Sequence, residues 1–296
     1  MAEYKIIDGK LAAAALKSEI ALQVRKMLDD GLNAPHLAAI LVGSDPASET
    51  YVKSKEKACQ EVGFISSVYR FPDNVTERQL LEAVTFLNED PEIDGFIVQL
   101  PLPAHIRVEN ILDHIKPSKD VDGFHAVNVG RMVQGIPGFL PATPMGIMKL
   151  IEHYDIPTSG KHCVVLGRSQ IVGTPVSLLL SRKAKPGNAT VTLCHSQTEN
   201  LADITRSADI IIAAIGQPEF LKADMVKSGA VVIDVGIHRI PSAENPKGYV
   251  IVGDVDFRNV APKCSWISPV PGGVGPMTIV SLLMNTFSAA QHEIYS

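Results

Sequence analysis

The chain is poor in cysteine, in tryptophan and in long apolar runs. Only four of its 296 residues are cysteine and one is tryptophan. Cys59, Cys163, Cys194 and Cys264 lie far apart and form no Cys-x-x-Cys pair, so neither a zinc site nor a disulfide framework is indicated. Reduced thiols in a cytoplasmic protein are the simple reading. The nine histidines form no His-Glu-x-x-His and no cluster, which predicts no metal site. Apolar runs such as IIIAAI (210–215) are too short to span a bilayer, so no membrane association is expected. The opening MAEYKIIDGK has no apolar core flanked by basic residues, and no signal peptide is expected. Positive charge is also scarce: 27 Lys and Arg face 32 Asp and Glu, for a formal charge of -5. A nucleic-acid partner would call for the opposite field.

What is present is an ordinary globular composition, 46% hydrophobic and 20% charged. At about 150 residues per domain, the length suggests two domains. Apolar runs at 37–43, 95–101, 162–167, 189–194, 209–216 and 230–236 read as buried strands bounded by Gly and Pro. Helical patterns lie between and around them, at 10–30, 49–62, 76–89, 145–154, 173–182, 198–206 and 276–291. Such alternation predicts an α/β architecture with parallel sheets. The Pro- and Gly-punctuated stretch GIPGFLPATP (135–144) marks a domain boundary.

The segment VVLGRSQIVGTP (164–175) reads as a strand ending at Gly167, a short loop, and a helix opened by Gly173. Glycines here let the backbone approach a pyrophosphate seated on a helix N-terminus. The spacing departs from G-x-G-x-x-G, because Ser169 holds the middle position and the last glycine is late. An ordinary strand–helix turn therefore stays open as the alternative. At the tip of the next strand, Cys194-His195-Ser196-Gln197-Thr198 offers no carboxylate for a ribose 2′-hydroxyl, and Glu199 comes late. Arg168 and Ser196 can instead accept a 2′-phosphate, which favours NADP over NAD; alternatively His195 and Ser196 only cap the following helix.

The stretch SETYVKSKEKACQEV (48–62) holds three lysines. On a helix at 100° per residue with Tyr51 at zero, Lys55 falls at about 40°, beside Ala58, Cys59 and Val62. Lys53 and Lys57 fall at about 200° and about 240°, on the opposite face. Those two read as solvated. Lys55 faces inward, where lost hydration lowers its pKa and lets it exchange protons near neutrality. A lysine whose stem merely covers apolar surface is the alternative.

Three further stretches are VQLPLP (98–103), KDVDGF (119–124) and PVPGGVGPMT (269–278). With YVKSK and GRSQIVG, they resemble the bifunctional methylenetetrahydrofolate dehydrogenase/cyclohydrolase family in order and approximate spacing over nearly the whole chain. The resemblance implies two α/β domains flanking a cleft and a homodimer. A folate-binding catalytic domain would span 1–142, with the C-terminal helix 276–296 returning to it. A Rossmann-type NADP-binding domain would span 143–275. It implies oxidation of 5,10-methylenetetrahydrofolate to 5,10-methenyltetrahydrofolate with NADP, then hydrolysis to 10-formyltetrahydrofolate. Lys55 matches the catalytic lysine, Tyr51 the folate-stacking tyrosine, Gln99 the glutamine that tunes the lysine, and Asp122 the pterin-binding aspartate. Gly167, Arg168, Ser169, Ser196 and Ile237 match cofactor-contacting positions, with Gly173 opening the motif helix. Pro271, Gly272 and Gly273 match the loop that borders the folate.

Each role has a bland alternative in the residues themselves. Asp122 can be a turn residue, since Asp-Gly is a common turn pair; Gln99 can be a strand-end side chain reaching solvent; the PVPGG stretch can be a plain connection. A monofunctional or NAD-using dehydrogenase, or a dinucleotide- or folate-binding protein without turnover, are the competing functions. One departure from the family pattern is SRKAKPGN (181–188), which lengthens the link before the second NADP-domain strand. It reads either as a surface insertion or, through Arg182, Lys183 and Lys185, as an added contact for a 2′-phosphate.

Overall fold

The computed structural model describes residues 4–246 and 248–295. The chain separates into two compact units, one of residues 14–142 with those from Ile279 on, the other of residues up to Ala13 with Thr143–Thr278. Strand β1 (Lys5–Ile6) leads into helix α1 (Gly9–Asp29), and the division falls within that helix.

The unit that contains residues 14–142 then runs β2 (His36–Val42), α2 (Pro46–Val62), β3 (Ile65–Phe71), α3 (Glu77–Glu89), β4 (Gly95–Val98), α4 (Val108–His114) and α5 (Ala126–Gln134). Its sheet is parallel with order β3-β2-β4. The central strand is buried along six of its seven residues, as expected for a strand covered on both faces. Ile40, Leu80, Val84, Leu87, Phe96, Val98 and Ile111 pack as one core. Helix α2 starts where Asp45 accepts the Ser48 N–H at 2.8 Å and Pro46 takes the first helical position. It stops at Gly63, whose φ of 84° is the left-handed cap that glycine adopts without strain. These two ends set the phase of the helix, and hence which lysine faces inward.

The second unit runs α6 (Ala142–His153), β5 (His162–Leu166), α7 (Gly173–Ser181), β6 (Thr190–Cys194), α8 (Leu201–Ser207), β7 (Ile210–Ala213), β8 (Ala230–Asp234), the ribbon β9 (His238–Pro241) and β10 (Tyr249–Val252), α9 (Phe257–Val260), β11 (Cys264–Ile267) and α10 (Val274–Ala290). Its six-stranded parallel sheet has the order β1-β11-β8-β7-β5-β6. The chain moves outward from β5 to β6, then reverses to β7 on the other side, so the ends of β5 and β7 form a topological switch point. Ligands of open α/β sheets bind at such a point, outside the carboxyl ends of the strands.

Residues 4–13 group with this second sheet, whereas the sequence assigned 1–142 to the other domain. The cause is local: β1 pairs with β11, Ile7 N–H donates to Ile267 O at 2.9 Å, and the Tyr154 hydroxyl donates to Asp8 O at 2.9 Å. Two residues are too short a strand to announce itself by periodicity. The division in α10 falls after Thr278, and Ser296, the last residue of the expected 276–296 segment, lies outside the described residues.

A methyl group on Gly9, the first residue of α1, would overlap the carbonyl oxygen of Gly273. Backbone cannot rotate out of the way as a side chain can. Gly9→Ala is therefore expected to destabilise by about 1–3 kcal/mol through overpacking, against the roughly 1 kcal/mol that alanine usually gains in a helix. A urea midpoint that rises in this variant would contradict the close packing.

Candidate active site

In the unit that contains residues 14–142, helix α2 leaves the sheet after the central strand. It carries Lys55 back toward the end of β4. Lys53 and Lys57 are exposed, while Val52, Ala58, Cys59 and Val62 are buried and Lys55 is partly so. The Lys55 Nζ donates to Gln99 Oε1 at 3.0 Å. Gln99 stands one residue beyond β4, its own N–H donating to Ile40 O at 2.9 Å. Its side-chain Nε2 donates to Leu100 O at 2.8 Å, which leaves Oε1 as the end facing the lysine. Gln99 thus accepts from the amine without adding charge.

Burial holds the Lys55 amine below the ordinary lysine range, opposed by the negative charge of Asp122. The Asp122 carboxyl is pushed up by burial and opposed by Lys55. The structure therefore brings Lys55, Gln99 and Asp122 into one electrostatic neighbourhood, with partly buried Tyr51 one helical turn before the lysine.

Asp122 is presented by a loop fastened on several sides. Asn285 on α10 donates to Val121 O at 2.8 Å and to Leu140 O at 2.9 Å, and Ala142 N–H donates to Asp122 O at 3.3 Å. Asp120, 2% exposed, accepts from the Phe124 N–H, the His125 N–H and Asn128 Nδ2. Asn128 in turn accepts from the Tyr295 hydroxyl at 2.7 Å. Of the two aspartates in KDVDGF, one organises the loop and the other is carried by it. Asp120, Asn128 and Asn285 were not singled out from the sequence. The only signal for Asp120 is its place in the same motif, and none marks the two asparagines.

In the second unit, Gly167, Arg168, Ser169 and Gly173 form the turn from β5 to α7. Gly167 has φ 103°, and a methyl group on it would overlap Ala214 O at the end of β7. One on Gly173 would overlap Gly167 O. Ser169 Oγ accepts the N–H of Val172 and of Gly173 at 3.2 and 3.3 Å, so it caps α7. Exposed Arg168 and Ser196 lie beyond the ends of adjacent strands β5 and β6, and Ile237, 46% exposed, lies beyond β8. Pro271, Gly272 and Gly273 follow β11, and Gly272 has φ 109°. All these residues are at the carboxyl ends of strands of one parallel sheet, where a dinucleotide is expected. The turn against a helix N-terminus fits a pyrophosphate: the glycines at its two ends let the backbone come close, and N–H groups at the helix start can meet it.

His195 does not cap α8, whose N-cap is Asn200; its bonds close the turn over 195–198 instead. Its N–H donates to Thr198 Oγ1 at 2.9 Å and its ring Nδ1 accepts from Gln197 N–H at 3.2 Å. Arg182, Lys183 and Lys185, by contrast, precede β6 and so lie at the opposite, amino-terminal edge of the sheet. The added contact to a 2′-phosphate is incompatible with that place; the three basic side chains are exposed there, while Gly187 is buried against Thr158. Among the described residues no group of three or more His, Cys, Asp or Glu could hold a metal ion, and no helix is long and apolar enough to cross a membrane.

A Rossmann-type sheet with a glycine-bounded turn, together with a partly buried lysine hydrogen-bonded to a glutamine, defines a dinucleotide-dependent α/β enzyme. Residues 7–122 match the catalytic domain of the tetrahydrofolate dehydrogenase/cyclohydrolase family, and residues 141–294 match its NAD(P)-binding domain. The bifunctional protein FolD of Porphyromonas gingivalis is 59% identical over 288 residues, 97% of each chain. The crystal structure of FolD from Campylobacter jejuni is 48% identical and superposes with a TM-score of 0.91, covering 98% of this chain and 99% of that one. The Trypanosoma brucei enzyme, solved with NADP and an inhibitor, is 38% identical with a TM-score of 0.93 over the full length of both chains. The chain belongs to the tetrahydrofolate dehydrogenase/cyclohydrolase family.

Burial pushes the Asp120 carboxyl up to about 6, against three hydrogen bonds and with the charge of Asp122 adding to the rise. An acid whose folded pKa is raised binds its proton more tightly in the fold, so stability is fully present below the unfolded value and falls as pH rises toward the folded one. From pH about 4 to about 6 this amounts to about 3 kcal/mol. Chemical denaturation of wild type and Asp120→Asn across that window is expected to show a fall steeper in wild type by about that amount, because Asp122 and Asp234 titrate in both proteins; parallel curves would remove the assignment.

Proposed function

We propose that the protein oxidises 5,10-methylenetetrahydrofolate to 5,10-methenyltetrahydrofolate with NADP and hydrolyses the product to 10-formyltetrahydrofolate. The observation that carries this reading is the Lys55–Gln99 hydrogen bond at 3.0 Å, made by an amine held below its ordinary pKa. Family membership and the likeness to an NADP-bound relative support the cofactor. So does the strand tip at 195–198, which presents Ser196 and no carboxylate near Arg168.

Bound NADP supplies an acceptor for the hydride that leaves the bridging methylene. The chain's own part in that step is placement, because the cation that forms is spread over two nitrogens and needs no strong base. Gly167, Arg168, Ser169, Gly173, Ser196 and Ile237 hold and orient the dinucleotide. Tyr51 offers a flat face to the aromatic part of folate, and Asp122 accepts N–H bonds from the pterin's amidine-like edge. Pro271, Gly272 and Gly273 border the substrate.

Hydrolysis asks more of Lys55. A water oxygen bonds to the methenyl carbon, and the Lys55 amine takes the proton that the water loses. The same proton returns to the folate nitrogen as its bond to that carbon breaks, and the hydroxyl formed on the carbon gives up its remaining proton to solvent, leaving the formyl group on the other nitrogen. A permanently charged lysine would have no lone pair for the proton and would repel the cationic substrate. Gln99 keeps the amine oriented without a charge that would restore the ammonium form.

A homodimer in the cytoplasm completes the reading. β3 is an edge strand of its sheet, and Ile65 on it and Phe86 on α3 are 49% and 58% exposed. All four cysteines are free and buried, in keeping with a reducing compartment. Sedimentation at micromolar concentration is expected to give the mass of two chains; a monomer that is fully active would dismiss the dimer.

Absorbance at the methenyl band, followed with NADP and separately with NAD, tests the activity. The signal is expected to rise with NADP and then decay by enzymatic hydrolysis. Lys55→Met is expected to slow the decay on the order of 10²-fold or more. Lys53→Met and Lys57→Met, on the wet face, should each change it by less than about threefold. Equal loss in all three variants would refute the role of Lys55, and absence of methenyl formation in wild type would refute the function.

A further inference from the structure

Two buried carboxylates of the second unit have no part in the chemistry above. Asp254 is 0% exposed and Asp234 is 2% exposed. Asp254 Oδ2 accepts the backbone N–H of Ile215 at 2.7 Å and of Gly216 at 2.9 Å, the turn that follows β7. Its other oxygen meets His238 Nε2 at 2.7 Å, on the ribbon that begins one residue after Ile237. Asp234, the last residue of β8, accepts the N–H of Gly236, Asp254 and Val255 at 3.0, 2.8 and 3.0 Å. The strap around Asp254 is paired in turn with the continuation of the β7 turn: Leu221 N–H donates to Asp254 O and Asp256 N–H to Leu221 O.

This assembly ends against the dinucleotide turn. A methyl group on Gly167 would overlap Ala214 O, the carbonyl directly before Ile215. The glycines around the carboxylates are equally constrained, because a methyl group on Gly236 would overlap Asp254 Oδ1 and one on Gly253 would overlap Asp234 Oδ2. Five backbone N–H groups thus converge on two carboxylates, and the loops they hold are those beyond β7 and β8. A charged acceptor is stronger than a neutral one and leaves the amides little freedom.

We propose that Asp254 and His238 are positioning residues of the dinucleotide site, with Asp254 holding the Ile215–Gly216 turn against Gly167 and, through His238, the ribbon that carries on from Ile237. The inference rests on the reading of the second unit as the NADP site. Neither residue touches the cofactor; each acts through the backbone that does. Asp254 is read as an acceptor, so an oxygen in the same place should do most of its work.

Three variants test it: Asp254→Ala, Asp254→Asn and His238→Ala, with KM for NADP, dehydrogenase turnover, hydrolysis of supplied methenyl substrate and NADPH fluorescence on binding. Asp254→Ala is expected to raise KM for NADP by about tenfold or more and to shift the ratio of hydrolysis to dehydrogenation upward by a similar factor. Asp254→Asn should return KM to within about threefold of wild type, and His238→Ala should raise it by roughly threefold to tenfold. An unchanged KM, a parallel loss of both activities, or an asparagine as harmful as alanine would overturn the proposal. Should Asp254→Ala fail to fold, His238→Ala of native melting temperature decides: unaltered NADPH affinity overturns the proposal and weakened affinity upholds it. Wild type without NADP-dependent turnover would instead defeat the functional reading beneath it.

Discussion

The Lys55–Gln99 hydrogen bond is the interaction on which the rest depends. An amine with no charged partner in direct contact, surrounded by protein, keeps its proton weakly; a carboxylate in place of Gln99 would strengthen its hold. The fold supplies each condition separately. The caps at Asp45 and Gly63 fix the rotation of α2, and the bond from Gln99 N–H to Ile40 O fixes where the strand end stands. Leu100 O decides which end of the amide the lysine meets. Asp122 works against this depression from the same neighbourhood, so the lysine and this buried carboxylate are tuned as a pair.

Carboxylates serve a second purpose in this molecule. Asp120, Asp234 and Asp254 are buried, and each accepts backbone N–H groups of loops that carry functional positions. Burying charge is costly, and burial together with the charge of Asp254 pushes the Asp234 carboxyl up to about 7 despite its three amide partners. Such a cost is compatible with a need for loops of one shape. A loop held only by water-exposed contacts samples many conformations, whereas one gathered on a buried acceptor is held in few.

Much of this was legible beforehand, for physical reasons. Strands buried on both faces announce themselves as apolar runs, and so β2, β4, β5, β6, β7 and β8 stand near the expected places. Helical phase singled out Lys55, since exposure follows the same 100° step. β3 escaped because ISSVYRF is mostly half-buried and reads as polar; β1 and β11 escaped because two and four residues carry too little pattern. Asn128, Asn285 and Asp254 escaped for a deeper reason. Each has main-chain partners distant in sequence, and nothing in a side chain's identity tells which carbonyl or amide it will meet. The placement of the 181–188 insertion is similar, for a positive charge has no address until the strand direction is known.

Neither unit is drawn from one continuous stretch of chain, and this bears on how the protein is made. Synthesis delivers residues 14–142 well before Asn285 and Tyr295, whose bonds to Val121, Leu140 and Asn128 complete the loop around Asp122. Until the last helix emerges, the carbonyls of Val121 and Leu140 lack their amide donor. Domains generally fold in the order in which they leave the ribosome. Here the loop that presents Asp122 gains its last fastenings only when translation is nearly over, so a chain that stalls early has Lys55 and Gln99 already made and the Asp122 loop still untied.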